Sequence, residues 1–317
     1  MLRFELSIAE AQAECGLIPQ ASAKAIGELA ESFVPDMDML SVATARDGVV
    51  IPELVRQWRA GLGDLGQDLH VGATSQDVID TSLMLRLQSL CHLLKGRIER
   101  LDSALSQLND TFGAARLMGH TRMQAAIEIS VADRITAWRT PLSEFQGRLA
   151  QLAGGLPLQF GGAAGTLEKL GDNGVIVRSQ LAAKLGLADR PQWHAQRSII
   201  ADIGYTLSLI TGSLGKIGQD LALMAQSGTA VIGGGGASSA MQHKRNPVKA
   251  EILVSLARFN AVQVGGLHQS MVHEQERSGA AWTLEWMLFP QMAIATGAAT
   301  RTALDLISSI EVLGEPE

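Results

Sequence analysis

The longest apolar repeat in the sequence runs from Leu83 to Phe112 and constrains the fold more than any other stretch. Its members follow one another in steps of three and four only: Leu83, Leu87, Leu90, Leu94, Ile98, Leu101, Leu105, Leu108 and Phe112. This spacing places one apolar stripe on an α-helix. About 30 residues at 1.5 Å each make that helix roughly 45 Å long. A stripe of this length must be covered by other long helices, so the sequence predicts a helical bundle.

Four more long helices are predicted. Two have apolar residues at the same spacing: Val131, Ile135, Trp138, Leu142, Phe145, Leu149 and Leu152, then Ile203, Leu207, Ile210, Leu214, Ile217, Leu221 and Met224. Pro141 predicts a bend in the first of them. Because proline is favoured in the first turn, Asn246-Pro247 predicts the start of a fourth helix that reaches about residue 270. Residues 281–307 predict a fifth.

The N-terminal part of the chain has shorter helices. Residues 4–31 have a helical pattern that Pro19 interrupts, and the prolines and glycines of residues 35–68 predict several shorter pieces. Strand-like alternation is scarce. We therefore predict an all-α fold, with a small N-terminal helical domain over residues 1–80 and a long five-helix bundle over residues 81–317.

The composition excludes several classes of protein. A net charge of -6 with 46% hydrophobic residues argues against nucleic acid as a partner. Without a leader sequence or an apolar run of about 18 residues, we expect a cytoplasmic protein with no membrane partner. Cys15 and Cys91 have neither a disulfide framework nor metal-ligand spacing, and we predict no metal and no cofactor.

Residues 233–251 read GGGGASSAMQHKRNPVKAE and concentrate the chemistry of the chain. Four glycines free the backbone, two serines supply hydroxyls, and residues 243–246 bring donors and positive charge. This composition predicts a mobile loop that closes over an anion. A plain flexible linker is the alternative that composition leaves open.

The order of residues in this segment resembles the signature loop of the fumarase/aspartase superfamily, G-S-S-x-M-P-x-K-x-N-P followed by glutamate. The positions in register are Ser238, Ser239, Met241, Lys244, Asn246, Pro247 and Glu251, while Ala237 and Gln242 depart from the pattern. The resemblance implies that Ser238 exchanges a proton with the carbon next to a substrate carboxylate. Lys244 and Asn246 would hold that carboxylate, because an enolate-like intermediate needs cations and N–H donors.

The string HVGATSQD, residues 70–77, supports the same resemblance. By itself it predicts a helix with Ser75 as N-cap and two acids, Asp77 and Asp80, in the first turn. In the superfamily, the matching residues His70, Thr74 and Ser75 would line the carboxylate site. Both interpretations hold together, since a helix N-terminus binds anions.

The string GHTRMQ, residues 119–124, departs from the superfamily. Lyases that release hydroxide or an amine have G-R-T-H-x-Q here, and the histidine helps the departing group take a proton. In this sequence Arg122 stands in the place of that histidine and His120 in the place of the arginine. Arginine stays protonated and cannot act as a general acid. The resemblance implies that His120, Arg122 and Gln124 contact the substrate, with His120 as the alternative proton donor to Ser238.

The absence of a general acid at position 122 limits the reactions that this site could catalyse. A general acid contributes about 10² to 10⁴ in rate when the leaving group is poor. A carboxyl group has a pKa of about 4, so a carboxylate is stable without a proton and needs no general acid. The sequence thus favours an intramolecular addition in which a carboxylate of a muconate-type tricarboxylate closes a lactone and Ser238 protonates the other alkene carbon.

Three more strings resemble the cycloisomerase branch of the superfamily: LQFGGAAGTLEKLG from Leu158, WHAQR from Trp193 and ERSGAAWTLEW from Glu276. They add Gln196 and Arg277 to the predicted substrate contacts. Trp286 stands where adenylosuccinate lyases place a second arginine for the nucleotide. Arg277 has the alternative of pairing with Glu274 or Glu276 within a helix.

The resemblance implies a homotetramer whose helices merge into one larger bundle and whose active sites are shared between subunits. It also leads us to expect that a segment normally preceding this chain and a third C-terminal domain are absent or truncated. Two alternatives stay open: an adenylosuccinate-type amine lyase, and a non-catalytic helical scaffold derived from such a lyase.

Overall fold

A computed structural model of the chain describes residues 1–237 and 245–315. Over these residues the helices are α1 (Leu2–Glu14), α2 (Gln20–Ser32), α3 (Met37–Asp47), α4 (Ile51–Leu62), α5 (Ser75–Phe112), α6 (Val131–Gly155), α7 (Gly174–Leu185), α8 (Ser198–Ser227), α9 (Val248–Gln269) and α10 (Gly279–Ile307). The short strands are β1 (Arg116–Thr121), β2 (Gln124–Ser130), β3 (Ala230–Ile232), β4 (Gly236–Ala237), β5 (Arg245–Asn246) and β6 (Ile310–Leu313). Two 3₁₀ turns cover Gly63–Asp68 and Glu168–Asn173. The predicted all-α fold is confirmed.

The five long helices predicted from the sequence are confirmed as α5, α6, α8, α9 and α10. Every apolar residue that predicted α6 and α8 is buried. The stripe of α5 is buried along most of its length, with Leu83, Leu90 and Phe112 only half-buried. Pro141 lies inside α6, which continues through it. The bend there stays a prediction. None of the described helices is both long and apolar enough to cross a membrane.

The shorter N-terminal pieces also follow the sequence. Pro19 separates α1 from α2, and residues 35–68 form α3, α4 and a 3₁₀ turn. Asp36 caps α3 by accepting a hydrogen bond from the backbone N–H of Met39 at 2.9 Å, as an N-cap residue does. Gly48 ends the same helix with φ at +73°, a conformation that glycine adopts without strain.

The sequence did not predict the strands, and the hairpin of β1 and β2 shows why. The two strands pair antiparallel from Arg116 with Ser130 to Thr121 with Gln124. Residues Gln124–Glu128 are all exposed, so neither face of β2 carries the apolar alternation by which a strand is recognised. The string GHTRMQ therefore spans the tip of a hairpin. The other two ladders pair β3 with β6 and β4 with β5.

The chain forms two compact units, each built from three segments. The first unit contains residues Met1–Ser89, Ala153–Arg197 and His273–Ser278, and the second contains Leu90–Leu152, Ser198–Val272 and Gly279–Glu317. The predicted domain boundary at residue 80 stays a prediction.

In the second unit, α8, α9 and α10 pack against one another. Asn260 of α9 is fully buried where they meet. Its side-chain N–H groups donate to Thr211 of α8 at 3.3 Å and Thr296 of α10 at 3.0 Å. A buried amide needs such partners, so Asn260 fixes the register of three helices.

Glycines on α8 allow α9 to approach closely. A Cβ added to Gly218 would lie 2.6 Å from the carbonyl oxygen of Ala250 and 2.9 Å from Cβ of Leu253, both on α9. A backbone oxygen cannot turn aside as the end of a side chain can, and interiors of this density resist added volume. A Cβ added to Gly212 on the same helix meets nothing within 4 Å.

We predict that Gly218→Ala lowers the free energy of unfolding by about 1–3 kcal/mol, because the added methyl group overpacks the contact between α8 and α9. The matched control, Gly212→Ala, is expected to stabilise by up to about 1 kcal/mol through helix propensity alone. Urea unfolding followed by circular dichroism measures both. Equal effects from the two substitutions would contradict close packing at Gly218.

Candidate functional site

The start of α5 is organised by Asp77. Its Oδ2 accepts a hydrogen bond from the backbone N–H of Thr74 at 3.0 Å. The helix begins at Ser75, so Thr74 is the flanking residue, and the predicted N-cap at Ser75 is wrong by one position. Asp77 lies in the first turn as predicted, whereas Asp80, five residues after Ser75, lies in the second.

The same carboxylate binds two distant segments of the first unit. Its Oδ1 accepts from the backbone N–H of Gly161 at 3.0 Å, and its Oδ2 from that of Gly162 at 2.9 Å. The ring Nε2 of His194 lies 2.7 Å from Oδ1. Gly162 has φ at +72°, and a Cβ there would lie 2.8 Å from the carbonyl oxygen of Gly72. Only glycine permits the loop of residues 161–165 to approach residues 70–75 this closely.

Gln76 connects this cluster to Arg277. The fully buried Gln76 amide donates through Nε2 to the carbonyl oxygen of His194 at 2.9 Å, which turns Oε1 toward Arg277. Nε of Arg277 donates to that oxygen at 2.9 Å, and Nη2 donates to the carbonyl oxygen of Ala163 at 3.2 Å. The exposed guanidinium is thus held in one orientation with donors left over, which suits it to bind a carboxylate.

The segment that carries Arg277 is a loop between α9 and α10, so the alternative of an intrahelical pair with Glu274 or Glu276 does not apply. Glu274 is instead bound by its own loop. Hydrogen bonds from the Ser278 side chain and from its own backbone N–H hold the pKa of Glu274 below its usual range.

A second buried carboxylate lies one turn further along α5. Asp80 forms a bidentate ion pair with Arg197, with N–O distances of 2.6 and 3.0 Å, and the side chains of both residues are fully buried. The guanidinium lies 4.6 Å from the ring centre of Trp193. Gln159 donates to Asp80 at 3.1 Å and accepts from the backbone N–H of Trp193 at 2.8 Å. Asp80 therefore ties the WHAQR string to α5.

His70 is held by a buried carboxylate of its own. Its Nδ1 lies 2.6 Å from Oε1 of Glu5 on α1, a residue that is 1% exposed. His70 also has φ at +63°, a left-handed conformation that costs energy for a residue with a Cβ. A carboxylate at Nδ1 fixes the tautomer in which Nδ1 carries the proton.

Five of the predicted site residues lie in the first unit: His70, Thr74, Ser75, Gln196 and Arg277. The structure brings Thr74, Ser75 and Arg277 together. Thr74 and Ser75, at the start of α5, adjoin Gln76, which holds Arg277. His70 precedes them in the same turn region. Gln196 is exposed and stands outside the network that its neighbour Arg197 joins.

The remaining predicted site residues that the structure describes lie in the second unit. His120, Arg122 and Gln124 are all exposed on the hairpin. Arg122 and Met123 form its two-residue turn with φ at +48° and +65°, the signs of a type I′ turn that usually takes asparagine and glycine. Asn246 pairs with Gly236 between β5 and β4. Ser238 and Lys244, the predicted catalytic residues, lie outside the described residues.

The sequence missed the roles of four residues: Gln76, Asp77, His194 and Arg197. Polar side chains at positions 76, 77 and 80 share one face at the start of α5, and this was an available signal of buried polar partners. Their partners lie about 80 to 200 positions away, beyond the reach of local patterns. Over residues 1–237 and 245–315, no group of three acidic, histidine or cysteine side chains is placed to hold a metal ion.

An all-α chain with five long helices, and with polar motifs gathered at the start of the longest one, has the architecture of the helical lyases. A family model described as lyase matches residues 2–266, and the chain belongs to this family. The predicted resemblance to the superfamily, and within it to the cycloisomerase branch, is confirmed.

Similar proteins extend over nearly the whole chain. The 3-carboxy-cis,cis-muconate cycloisomerase of Acinetobacter baylyi is 34% identical over 329 residues, a match that covers 99% of this chain and 73% of the relative. The nitrosuccinate lyase of Streptomyces davaonensis is 32% identical, covering 98% and 70%. The crystal structure of the 3-carboxy-cis,cis-muconate lactonizing enzyme from Pseudomonas putida matches with a TM-score of 0.91 at 32% identity, covering 98% and 71%.

We predict that Arg197→Met destabilises the protein by about 3–5 kcal/mol, because it leaves the Asp80 carboxylate buried without its cation. The double variant Asp80→Asn with Arg197→Met is expected to recover part of that loss. Arg178, whose pair with Asp189 at 2.7 Å is partly exposed, is the matched control, and Arg178→Met should cost at most about 1 kcal/mol. Urea unfolding measures all three, and similar losses from the two single substitutions would contradict the special burial of Arg197.

Proposed function

We propose that this chain is a cycloisomerase that converts 3-carboxy-cis,cis-muconate to 4-carboxymuconolactone. The observation that carries the proposal is the match to relatives of that activity over nearly the full chain. Arg122 adds a chemical reason. It occupies the place where lyases that expel a poor leaving group need a histidine, and a carboxylate nucleophile needs no such acid.

We place the substrate carboxylates among residues that are far apart in the sequence. The best supported is Arg277, whose guanidinium is fixed by Gln76 and Ala163. Thr74 and Ser75 offer hydroxyl groups at the helix N-terminus, where the dipole favours an anion. His70, His120, Arg122, Gln124, Gln196 and Asn246 complete the proposed set of contacts.

The proposed reaction is an intramolecular addition. One substrate carboxylate attacks an alkene carbon and forms the C–O bond, and the electron pair of the double bond moves toward the neighbouring carboxyl group. Ser238 delivers its proton to the other alkene carbon and regains one from solvent. A serine hydroxyl is a weak acid, so Lys244 would stabilise the alkoxide that forms. His120 is the alternative donor, and its ring Nδ1 lies 3.1 Å from the carbonyl oxygen of Met118.

We also propose a homotetramer with active sites built from several copies of the chain. Large apolar side chains exposed on the hairpin and on the long helices of the second unit support this: Met123, Ile127, Val262, Met287 and Ile294 are each more than 60% exposed. Apolar exposure on this scale is typical of interaction surfaces. The predicted cytoplasmic location stays a prediction.

An amine or nitro-group lyase is the second candidate, favoured by the similarity to the nitrosuccinate lyase. Absorbance assays with 3-carboxymuconate, nitrosuccinate and adenylosuccinate in parallel separate these activities. A non-catalytic scaffold would turn over none of them.

We expect Ser238→Ala to lower kcat for 3-carboxymuconate by roughly 10²- to 10⁴-fold, the contribution of a positioned proton donor. Ser239→Ala, one residue away, is the matched control and should keep most of the activity. Light scattering checks that both variants keep the assembly of the wild type. An active Ser238→Ala variant would exclude Ser238 as the donor and direct the same experiment to His120.

Arg122 is expected to bind a carboxylate and to take no part in proton transfer. Arg122→Met should raise KM by about 10- to 150-fold, the loss of a hydrogen bond to a charged group. Arg122→Lys keeps the charge without the planar fork and should lie between that variant and the wild type. A fall in kcat with unchanged KM in Arg122→Met would contradict a binding role.

A further inference from the structure

We infer that Asp77 is a positioning residue that sets the orientation of Arg277 through two separate routes. The inference rests on the proposed function only in taking Arg277 as a carboxylate-binding group. Asp77 and Arg277 are 200 positions apart in the sequence, and none of the hydrogen bonds described joins them directly. They are connected through the loop of residues 161–163 and through His194 and Gln76.

The bonding capacity of Asp77 is fully used within the protein. An ionised carboxylate has about four lone-pair sites. Oδ1 accepts from the N–H of Gly161 at 3.0 Å and faces Nε2 of His194 at 2.7 Å. Oδ2 accepts from the N–H of Gly162 at 2.9 Å and that of Thr74 at 3.0 Å. Because four donors fill four sites and the side chain is fully buried, Asp77 has nothing left to offer a substrate.

The first route runs through the loop of residues 161–165. Asp77 fixes the two N–H groups at residues 161 and 162, and the carbonyl oxygen of the next residue, Ala163, accepts from Nη2 of Arg277 at 3.2 Å. Gly162 has a positive φ and no Cβ to hold its conformation. Glycine has the greatest backbone freedom to lose, so the carboxylate is what holds the Ala163 carbonyl toward the guanidinium.

The second route runs through His194 and Gln76. Asp77 holds the His194 ring, and the backbone carbonyl of His194 accepts from Nε2 of Gln76 at 2.9 Å. An amide side chain bound through its nitrogen presents its oxygen on the other side, and Oε1 of Gln76 accepts from Nε of Arg277 at 2.9 Å. Each described hydrogen bond of Arg277 therefore ends on a group that Asp77 holds in place.

Asp77→Asn tests this inference, because the amide keeps the shape of the carboxylate but directs N–H groups at two of the four donors. We expect faster hydrogen exchange at residues 161–162 and also over residues 273–278, to which none of the hydrogen bonds described for Asp77 runs. We also expect KM for 3-carboxymuconate to rise by about 10- to 150-fold, the same rise that we expect for Arg277→Met. Adding Asp77→Asn to Arg277→Met should change KM little further, since both act on one group.

The matched control is Asp220→Asn, a buried aspartate of the second unit that accepts from Nε1 of Trp138 at 2.8 Å. It should lower stability without faster exchange over residues 273–278 or a rise in KM. Unchanged exchange over residues 273–278 in a folded Asp77→Asn variant overturns the inference. A KM effect that persists in full in the Arg277→Met background overturns it as well.

If Asp77→Asn does not fold, Gln76→Met tests the second route alone, because it cuts that route and leaves the first in place. Faster exchange over residues 273–278 supports the second route, and unchanged exchange overturns the inference that two routes orient Arg277. If the wild type neither turns over 3-carboxymuconate nor binds the unreactive tricarboxylate propane-1,2,3-tricarboxylate, the proposed function fails. The exchange measurements then still decide whether Asp77 positions Arg277.

Discussion

The buried carboxylates at the start of α5 are the constraint on which the candidate site depends. A carboxylate removed from water must find donors or cations within the protein, because leaving it unpaired costs several kcal/mol. Asp77 and Asp80 are both fully buried, and local backbone cannot satisfy them alone. The first unit therefore brings the loop of residues 161–165 and the WHAQR string to this helix, and the arrangement of polar groups around Arg277 follows from that requirement.

Periodicity explains how much of the fold was predictable. The long helices α5, α6 and α8 each have an apolar stripe that matches the helical period, and residues such as Leu94, Ile98 and Leu101 are buried where the spacing places them. The hairpin was not predictable, because its second strand is exposed on both faces and has no apolar alternation. For the site, the sequence identified separate motifs but not the contacts between their residues. Three of the four partners of Asp77 lie 84, 85 and 117 positions away, and no local rule pairs residues at that distance.

The turn of the hairpin places Arg122, a proposed substrate contact, in a strained backbone conformation. An arginine and a methionine adopt positive φ at its tip, where a glycine would form the same turn with less strain. Strain of this kind costs of the order of 1–3 kcal/mol per residue, and it is found mainly at functional sites. That Arg122 departs from the pattern of the amine lyases and also occupies a strained, exposed turn gives two independent reasons to assign it a role with the substrate.

The division of the first unit into three segments has a consequence for synthesis. Residues 1–89 leave the ribosome long before residues 273–278, which complete the unit. At about 5–20 residues per second, the 189 residues from 89 to 278 take roughly 10–40 s to translate. During this interval Gln76 is made but Arg277 is not, so the nascent chain carries buried-type polar groups that have no partner yet. A circular permutation that brings residues 273–278 next to α5 in the sequence would shorten this interval.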